Sequence, residues 1–177
     1  MASSSPHSNN NISLDVQLEW YKIRDTFFGH NMVSPSIPLA LELASKCSHP
    51  DARWLTEVCA GKDVKTRDDA REVFLALDQS DARALCFAAF SGKRHDVARL
   101  EQACTYPFAA AWMSEQTKGK ASFVFAQLAA DMGERDGFYW LGRSYRDGEG
   151  CEKDLDKAKE YFLLAVIATL LLATSLV

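Results

Sequence analysis

The sequence predicts an all-α fold, a right-handed α-solenoid of antiparallel helix pairs, and three observations carry this prediction. Apolar residues recur at intervals of three and four, as they do on one face of an amphipathic helix. The anchor dipeptide Trp54-Leu55 returns at a nearly constant interval, and a glycine follows each anchored helix. Self-similarity with a period of about 20–50 residues and one helix pair per period is typical of an α-solenoid.

The composition is that of a chain able to bury a core, with 47% apolar and 25% charged residues. The formal net charge is −4 and the sequence pI is about 5.6. A nucleic-acid partner selects for a basic surface, which this balance does not provide. We therefore expect no nucleic-acid partner.

Five cysteines are present, an odd number, and no two of them have C-x-x-C spacing. This pattern disfavours both a secreted disulfide framework and a zinc site. Residues 1–12 are rich in Ser and Asn and lack the apolar stretch of a signal peptide, so we expect them to be disordered. A reducing, cytoplasmic compartment is expected.

Residues 13–48 precede the repeats and are expected to form two helices. In the first, Leu14, Leu18 and Tyr21 recur at helical spacing. The second is a short apolar helix from Ile37 to Cys47. No motif in this region indicates a function.

The repeat array is expected to span residues 49–166. Its anchors are Trp54-Leu55, Ala84-Leu85, Trp112-Met113 and Trp140-Leu141, which begin 30, 28 and 28 residues apart. The glycine marker follows as Gly61-Lys62, Gly92-Lys93, Gly119-Lys120 and Gly148. Because two independent markers share one period, chance similarity is a poor explanation.

The best-formed repeat, residues 137–166, is expected to fold as one helix, a glycine-bearing turn and a second helix. Its motif residues are, in order, Leu141, Gly142, Tyr145, Gly148, Gly150, Asp154, Ala158 and Tyr161. The first three form an apolar stripe with a notch at the glycine. The next two glycines can end the helix, and the aspartate can cap the second helix.

These residues, at this spacing, resemble the Sel1-like repeats, relatives of the tetratricopeptide repeats. Two positions depart from the family pattern, with Gly137 in place of an alanine and Cys151 in place of a valine. The resemblance is strong over about 30 residues and weaker back to residue 50. It implies an adaptor or scaffold that binds other proteins and whose repeats carry no chemistry.

A candidate recognition row lies two residues after the second anchor residue of each repeat. Its members are Glu57, Phe87, Glu115 and Arg143, which vary in chemistry while the frame around them stays apolar. A row that contacts a partner would vary in this way, but so would an ordinary solvated face. The tryptophans at the anchor position, Trp54, Trp112 and Trp140, are expected to pack between repeats more than to contact a ligand.

No arrangement of residues indicates catalysis. The Gly-Lys pairs lack the upstream glycine and the following Ser or Thr of a phosphate-binding loop. The histidines are scattered, and none is paired at metal-binding spacing. We therefore expect no enzymatic activity, no cofactor and no metal.

The apolar C-terminal tail, residues 167–177, leaves several interpretations open. From Tyr161 to Val177 there is no charged residue, but this run of 17 is shorter than the roughly 20 residues that span a bilayer. A repeat array cut short, or an altered C-terminus, is the favoured interpretation. The alternatives are a membrane anchor, which would make the protein a C-terminally anchored adaptor, and a helix that self-associates.

Overall fold

The computed structural model of the chain describes residues 12–30, 33–91 and 95–174, and within these ranges every regular element is an α-helix. The ten helices there are α1 (Leu14–Phe28), α2 (Ile37–Lys46), α3 (Pro50–Cys59), α4 (Arg67–Leu75), α5 (Ala82–Ser91), α6 (Val97–Gln102), α7 (Pro107–Gln116), α8 (Gly119–Asp131), α9 (Arg135–Asp147) and α10 (Leu155–Thr174). The all-α class predicted from the sequence is confirmed.

Each helix packs against the next one along the chain. The predicted pairs are α3 with α4, α5 with α6, α7 with α8, and α9 with α10. Helix α7 also packs against α9, so the first helices of two consecutive pairs lie side by side. This contact creates the cleft described below.

The best-formed repeat consists of α9 and α10, and its glycines act as the spacing predicts. A Cβ atom added to Gly142 would lie 2.7 Å from the ring of Phe162, so the notch on α9 receives an aromatic ring from α10. Gly148 has a φ angle of +71° and donates its N–H to the carbonyl oxygen of Ser144. The left-handed conformation there ends α9.

The start of α10 is capped as predicted. The carboxylate of Asp154 accepts hydrogen bonds from the backbone N–H groups of Asp156 and Lys157, at 3.1 and 3.0 Å. Further along the pair, the rings of Tyr145 and Tyr161 stack with their centroids 5.6 Å apart. Local side chains therefore define both ends of the turn and the helix contact that follows it.

Helix α1, which lies outside the repeat pattern, occupies the centre of the main core. Phe27 contacts Phe74 of α4, and Phe28 contacts Phe87 of α5 and Phe108 of α7, with ring centroids 4.9–5.9 Å apart. Fully burying one such side chain stabilises the fold by about 1.5–3 kcal/mol. The repeat helices are therefore packed around α1.

Helix α10 continues without a break into the apolar tail and also contacts α1. Beyond its first residue, Leu155, the described apolar side chains that are exposed by 38–59% are Leu163, Leu164, Val166 and Ile167. Across the described ranges, no helix combines the length and the apolar character that crossing a membrane requires.

Some expectations concern positions outside the described residues. These positions are residues 1–11 of the expected disordered segment, the Gly92-Lys93 marker and residues 175–177 of the tail.

Candidate functional site

A cleft of about 200 Å³ lies between α7 and α9. Its lining residues are His30, Phe108, Ala111, Trp112 and Glu115 on one side, with Asp136, Tyr139 and Trp140 on the other. Aromatic side chains make up half of this set, and two of the remaining residues are acidic. We refer to this feature as the α7–α9 cleft.

Helical spacing places the lining residues on facing surfaces. On α7, Ala111, Trp112 and Glu115 follow at i, i+1 and i+4, and on α9 Asp136, Tyr139 and Trp140 follow at i, i+3 and i+4. Residues three and four apart lie on one helix face. The other side of α7 carries small residues such as Ala109 and Ala110, which are fully buried and let neighbouring helices approach.

Packing fixes the tryptophans of the cleft. Trp112 makes edge contacts with Phe90 and His95, with ring centroids 5.8 and 5.3 Å apart. Trp140 makes an edge contact with the half-exposed Tyr139, at 5.4 Å. Each of these tryptophans is therefore half-buried, with part of its ring held by neighbours and part lining the cleft.

The third anchor tryptophan is used differently. Trp54 stacks on Phe74 and makes an edge contact with Phe87, with centroid distances of 5.9 and 5.2 Å. Leu55 beside it is fully buried. This site serves the packing role expected of the anchors, whereas Trp112 and Trp140 also line a cleft.

The recognition row predicted from the sequence is divided by the fold. Glu115 lines the α7–α9 cleft. Arg143 does not line it, but its guanidinium lies 4.7 Å from the centroid of the ring of Trp140, which does. Glu57 is exposed and lies apart from them, in a shallow depression between α2 and α3. The row is therefore not one continuous surface.

Phe87 does not belong in the row, and its inclusion is corrected here. Its side chain is 0% exposed and is in contact with six other aromatic rings, so no partner can contact it on the folded protein. The sequence carried a signal of this. From Ala84 to Ser91, helix α5 has no charged residue, and a helix that is apolar all round is a buried one.

A buried ionic cluster lies behind the cleft, and sequence reasoning missed it. Arg24 of α1, 1% exposed, places its guanidinium 4.0 Å from the centroid of the Phe108 ring. Its Nη1 donates a 2.6 Å hydrogen bond to Glu134, and its Nη2 lies 3.7 Å from Asp136. Arg135 bridges Asp136 and Asp25 at 3.0 and 3.3 Å. The run of charged residues Glu134-Arg135-Asp136 was the visible sign of this cluster in the sequence. Arg24, which pairs with it, is more than 100 residues away along the chain.

Glu134 and Asp136, two of the three carboxyl groups that lie beside Arg24, respond differently to burial. Burial raises the pKa of Glu134 above its ordinary value, against the attraction of Arg24. Burial acts in the same direction on Asp136, but the guanidinium groups of Arg135 and Arg24 outweigh it and hold the pKa of Asp136 below its usual range. Asp136 therefore brings a carboxylate to the cleft that is already paired with two arginines.

No protein-family model matches the chain, and no curated protein has a matching sequence. The assignment of the repeats therefore depends on the motif residues and on what each of them contacts.

Proposed function

We propose that this protein is a protein–protein interaction scaffold or adaptor built from Sel1-like repeats, with the helix pairs in a right-handed superhelix and no catalytic activity of its own. Support comes from α9 and α10, where the motif residues make the contacts that the repeat pattern needs. Gly142 admits the Phe162 ring, Gly148 ends a helix and Asp154 caps the next one. Fold-level analogy then leads to the adaptor function.

The α7–α9 cleft is the observation that carries the proposal. It lies between the first helices of two consecutive pairs, which is where successive repeats place side chains against a partner. Half-exposed aromatic side chains are enriched at protein interfaces, because they bury a large area at a small loss of conformational freedom. Tyr139 is 46% exposed there.

A reducing, cytoplasmic compartment fits this proposal. The thiols of Cys47, Cys59 and Cys86 are free and buried. Burial raises the pKa of each thiol, to about 11 for Cys59, which keeps them protonated and unreactive near neutral pH. They serve as small core residues.

A charge-reversal experiment tests the proposal. The variant carries Glu115→Arg and Arg143→Glu, and the control carries Glu57→Lys, at the equivalent but separate position on α3. Partners that co-purify with the full chain should be lost with the cleft variant and kept with the control, while both variants keep the thermal stability of the parent. If the cleft variant and the control retain the co-purifying partners equally well, the cleft is not the binding surface.

A further inference from the structure

We propose that the α7–α9 cleft binds the guanidinium group of an arginine side chain in a partner protein. This proposal rests on the proposed interaction function and specifies the chemistry of that same site. Three features of the cleft lead to it: its acidic and aromatic lining, its size, and the way this chain binds its own arginines.

The lining is complementary to a cation. Three partly exposed aromatic rings belong to Trp112, Tyr139 and Trp140, and two carboxylates belong to Glu115 and Asp136. No Lys or Arg side chain is among the lining residues. The face of an aromatic ring attracts a cation through its quadrupole, and tryptophan does so most strongly.

Glu115 is the carboxylate best placed to pair with an incoming cation. Asp136 is already bound by Arg135 and Arg24, at 3.0 and 3.7 Å, so much of its charge is compensated. Glu115 is exposed one helical turn beyond Trp112, on the same face of α7. A cation lying over the indole could therefore also reach the Glu115 carboxylate.

The volume suits one side chain. Sites for whole small ligands are typically about 300–1,000 Å³, whereas this cleft is about 200 Å³. A planar guanidinium can lie flat against an indole while its edge donates two hydrogen bonds to a carboxylate, which an ammonium group cannot do.

The chain binds its own arginines in this way at the equivalent position of another repeat. At the anchor Trp54, the guanidinium of Arg83 lies 5.1 Å from the ring centroid and 3.5 Å from the carboxylate of Asp51. At the anchor Trp140, Arg143 lies over the ring. Among the described residues, no cation occupies the corresponding place over Trp112. Trp112 also has a carboxylate one turn away on its own helix, Glu115, although this residue follows the tryptophan by three positions whereas Asp51 precedes Trp54 by three. An arginine from outside would bind between the Trp112 ring and Glu115.

The test measures the binding of a fluorescein-labelled peptide, with arginines separated by glycines, to the full chain by fluorescence anisotropy. The first comparison peptide replaces every arginine with citrulline, a neutral isostere, and the second replaces every arginine with lysine. We expect citrulline to weaken binding by about tenfold or more, and lysine to bind more weakly than arginine. Equal binding of the arginine and citrulline peptides overturns the proposal, and equal binding of the arginine and lysine peptides overturns its guanidinium specificity.

Three variants locate the binding. Glu115→Gln should weaken the binding of the arginine peptide by about threefold to tenfold. Glu57→Gln, its matched control on α3, should leave the binding unchanged. Trp112→Phe keeps an aromatic ring against Phe90 but weakens the attraction for a cation, so binding should fall while the thermal midpoint changes little. Equal effects of the two glutamine variants would overturn the assignment to this cleft.

These results distinguish the arginine-binding hypothesis from the proposed interaction function on which it rests. If the peptide fails to bind while charge reversal in the cleft still abolishes co-purification of partners, the arginine assignment is wrong and the interaction function stands. If neither the peptide nor any partner responds to changes in the cleft, both are wrong.

Discussion

The guanidinium of Arg24 donates a 2.6 Å hydrogen bond to the carboxylate of Glu134, across 110 residues of sequence. Arg24 lies on α1, and Glu134 is the residue from which α9 begins. Both side chains are almost completely buried, at 1% and 3% exposure. A second bond runs parallel to it, since the hydroxyl of Tyr21 donates to the carbonyl oxygen of Gly133 at 2.8 Å. These two hydrogen bonds therefore hold α1 against the start of α9.

Removing one partner of this ion pair should be costly. In Glu134→Gln, Arg24 stays buried with its best-aligned acceptor neutralised. The loss of a single partner from an isolated buried pair costs about 3–5 kcal/mol, since the remaining charge is uncompensated. In Glu134→Gln, Asp25 and Asp136 still lie 3.4 and 3.7 Å from Arg24, so the loss should fall at or below the lower end of that range. Arg24→Met removes the cation from beside both Glu134 and Asp136. Its loss in free energy of unfolding, measured by urea denaturation, should lie in the upper part of that range of about 3–5 kcal/mol.

The matched control is an exposed pair. Lys46 and Glu42 lie 2.7 Å apart on α2, with both side chains more than 60% exposed. Lys46→Met should change the free energy of unfolding far less than the loss of the buried pair does, since exposed pairs of this spacing contribute little. Similar losses in Glu134→Gln and Lys46→Met would show that the buried pair does not hold α1 in place.

The structural features that the sequence could predict are those that depend on contacts within one repeat. The places of Gly142, Gly148 and Asp154 follow from contacts within one repeat, and the spacing of the motif contains that information. The uncharged run from Ala84 to Ser91 also indicates that Phe87 is buried. The pairing of Arg24 with Glu134, in contrast, depends on where α1 packs. That placement is determined by contacts far apart in the sequence, which a repeat pattern does not encode. At the cleft, Glu115 could be named from the row, and so could Arg143 beside Trp140, but Tyr139 and Asp136 could not.

Protonation of His49 should destabilise the fold in mild acid. Its Nδ1 accepts the backbone N–H of Asp51 at the start of α3, and its ring stacks on Trp20 with centroids 5.3 Å apart. Burial lowers the pKa of His49 from 6.5 to about 4. The positive charge of Arg24 lowers this pKa further, and the negative charge of Asp51 raises it. Because the folded-state pKa is the lower one, the stabilisation is complete above pH 6.5 and is lost as the pH falls toward 4. The loss should reach at most about 3 kcal/mol.

His49→Asn isolates this effect. Asparagine also accepts a backbone N–H at a helix start, but it does not titrate. Since other carboxyl groups titrate in the same range, the measured quantity is the difference in free energy of unfolding between parent and variant at each pH. That difference should shrink steadily from pH 7 to pH 4, and a constant difference would contradict the assigned protonation.

The notch at Gly142 should be visible as coupling to Phe162. Alanine in place of glycine usually favours a helix by about 1 kcal/mol. Here the added Cβ would lie 2.7 Å from the Phe162 ring, so Gly142→Ala should cost about 1–3 kcal/mol instead. In a Phe162→Ala background the ring is gone, and the same change should be neutral or stabilising. A double-mutant cycle by urea denaturation measures the coupling, and additive effects would mean that the notch is not filled by this ring.

The exposed apolar face of α10 should drive association between copies of the chain. Leu163 and Ile167 are 59% and 43% exposed and lie four residues apart, hence on one face of the helix. A contiguous apolar patch of this kind is unusual on a monomer, because burying it is favourable by about 25 cal/mol per Å². Leu163→Lys with Ile167→Lys should therefore shift the protein toward monomer in sedimentation equilibrium. Val124→Lys, at an exposed position on α8, provides the control and should leave the distribution unchanged. If both variants associate as the parent does, the α10 face is not the contact between copies.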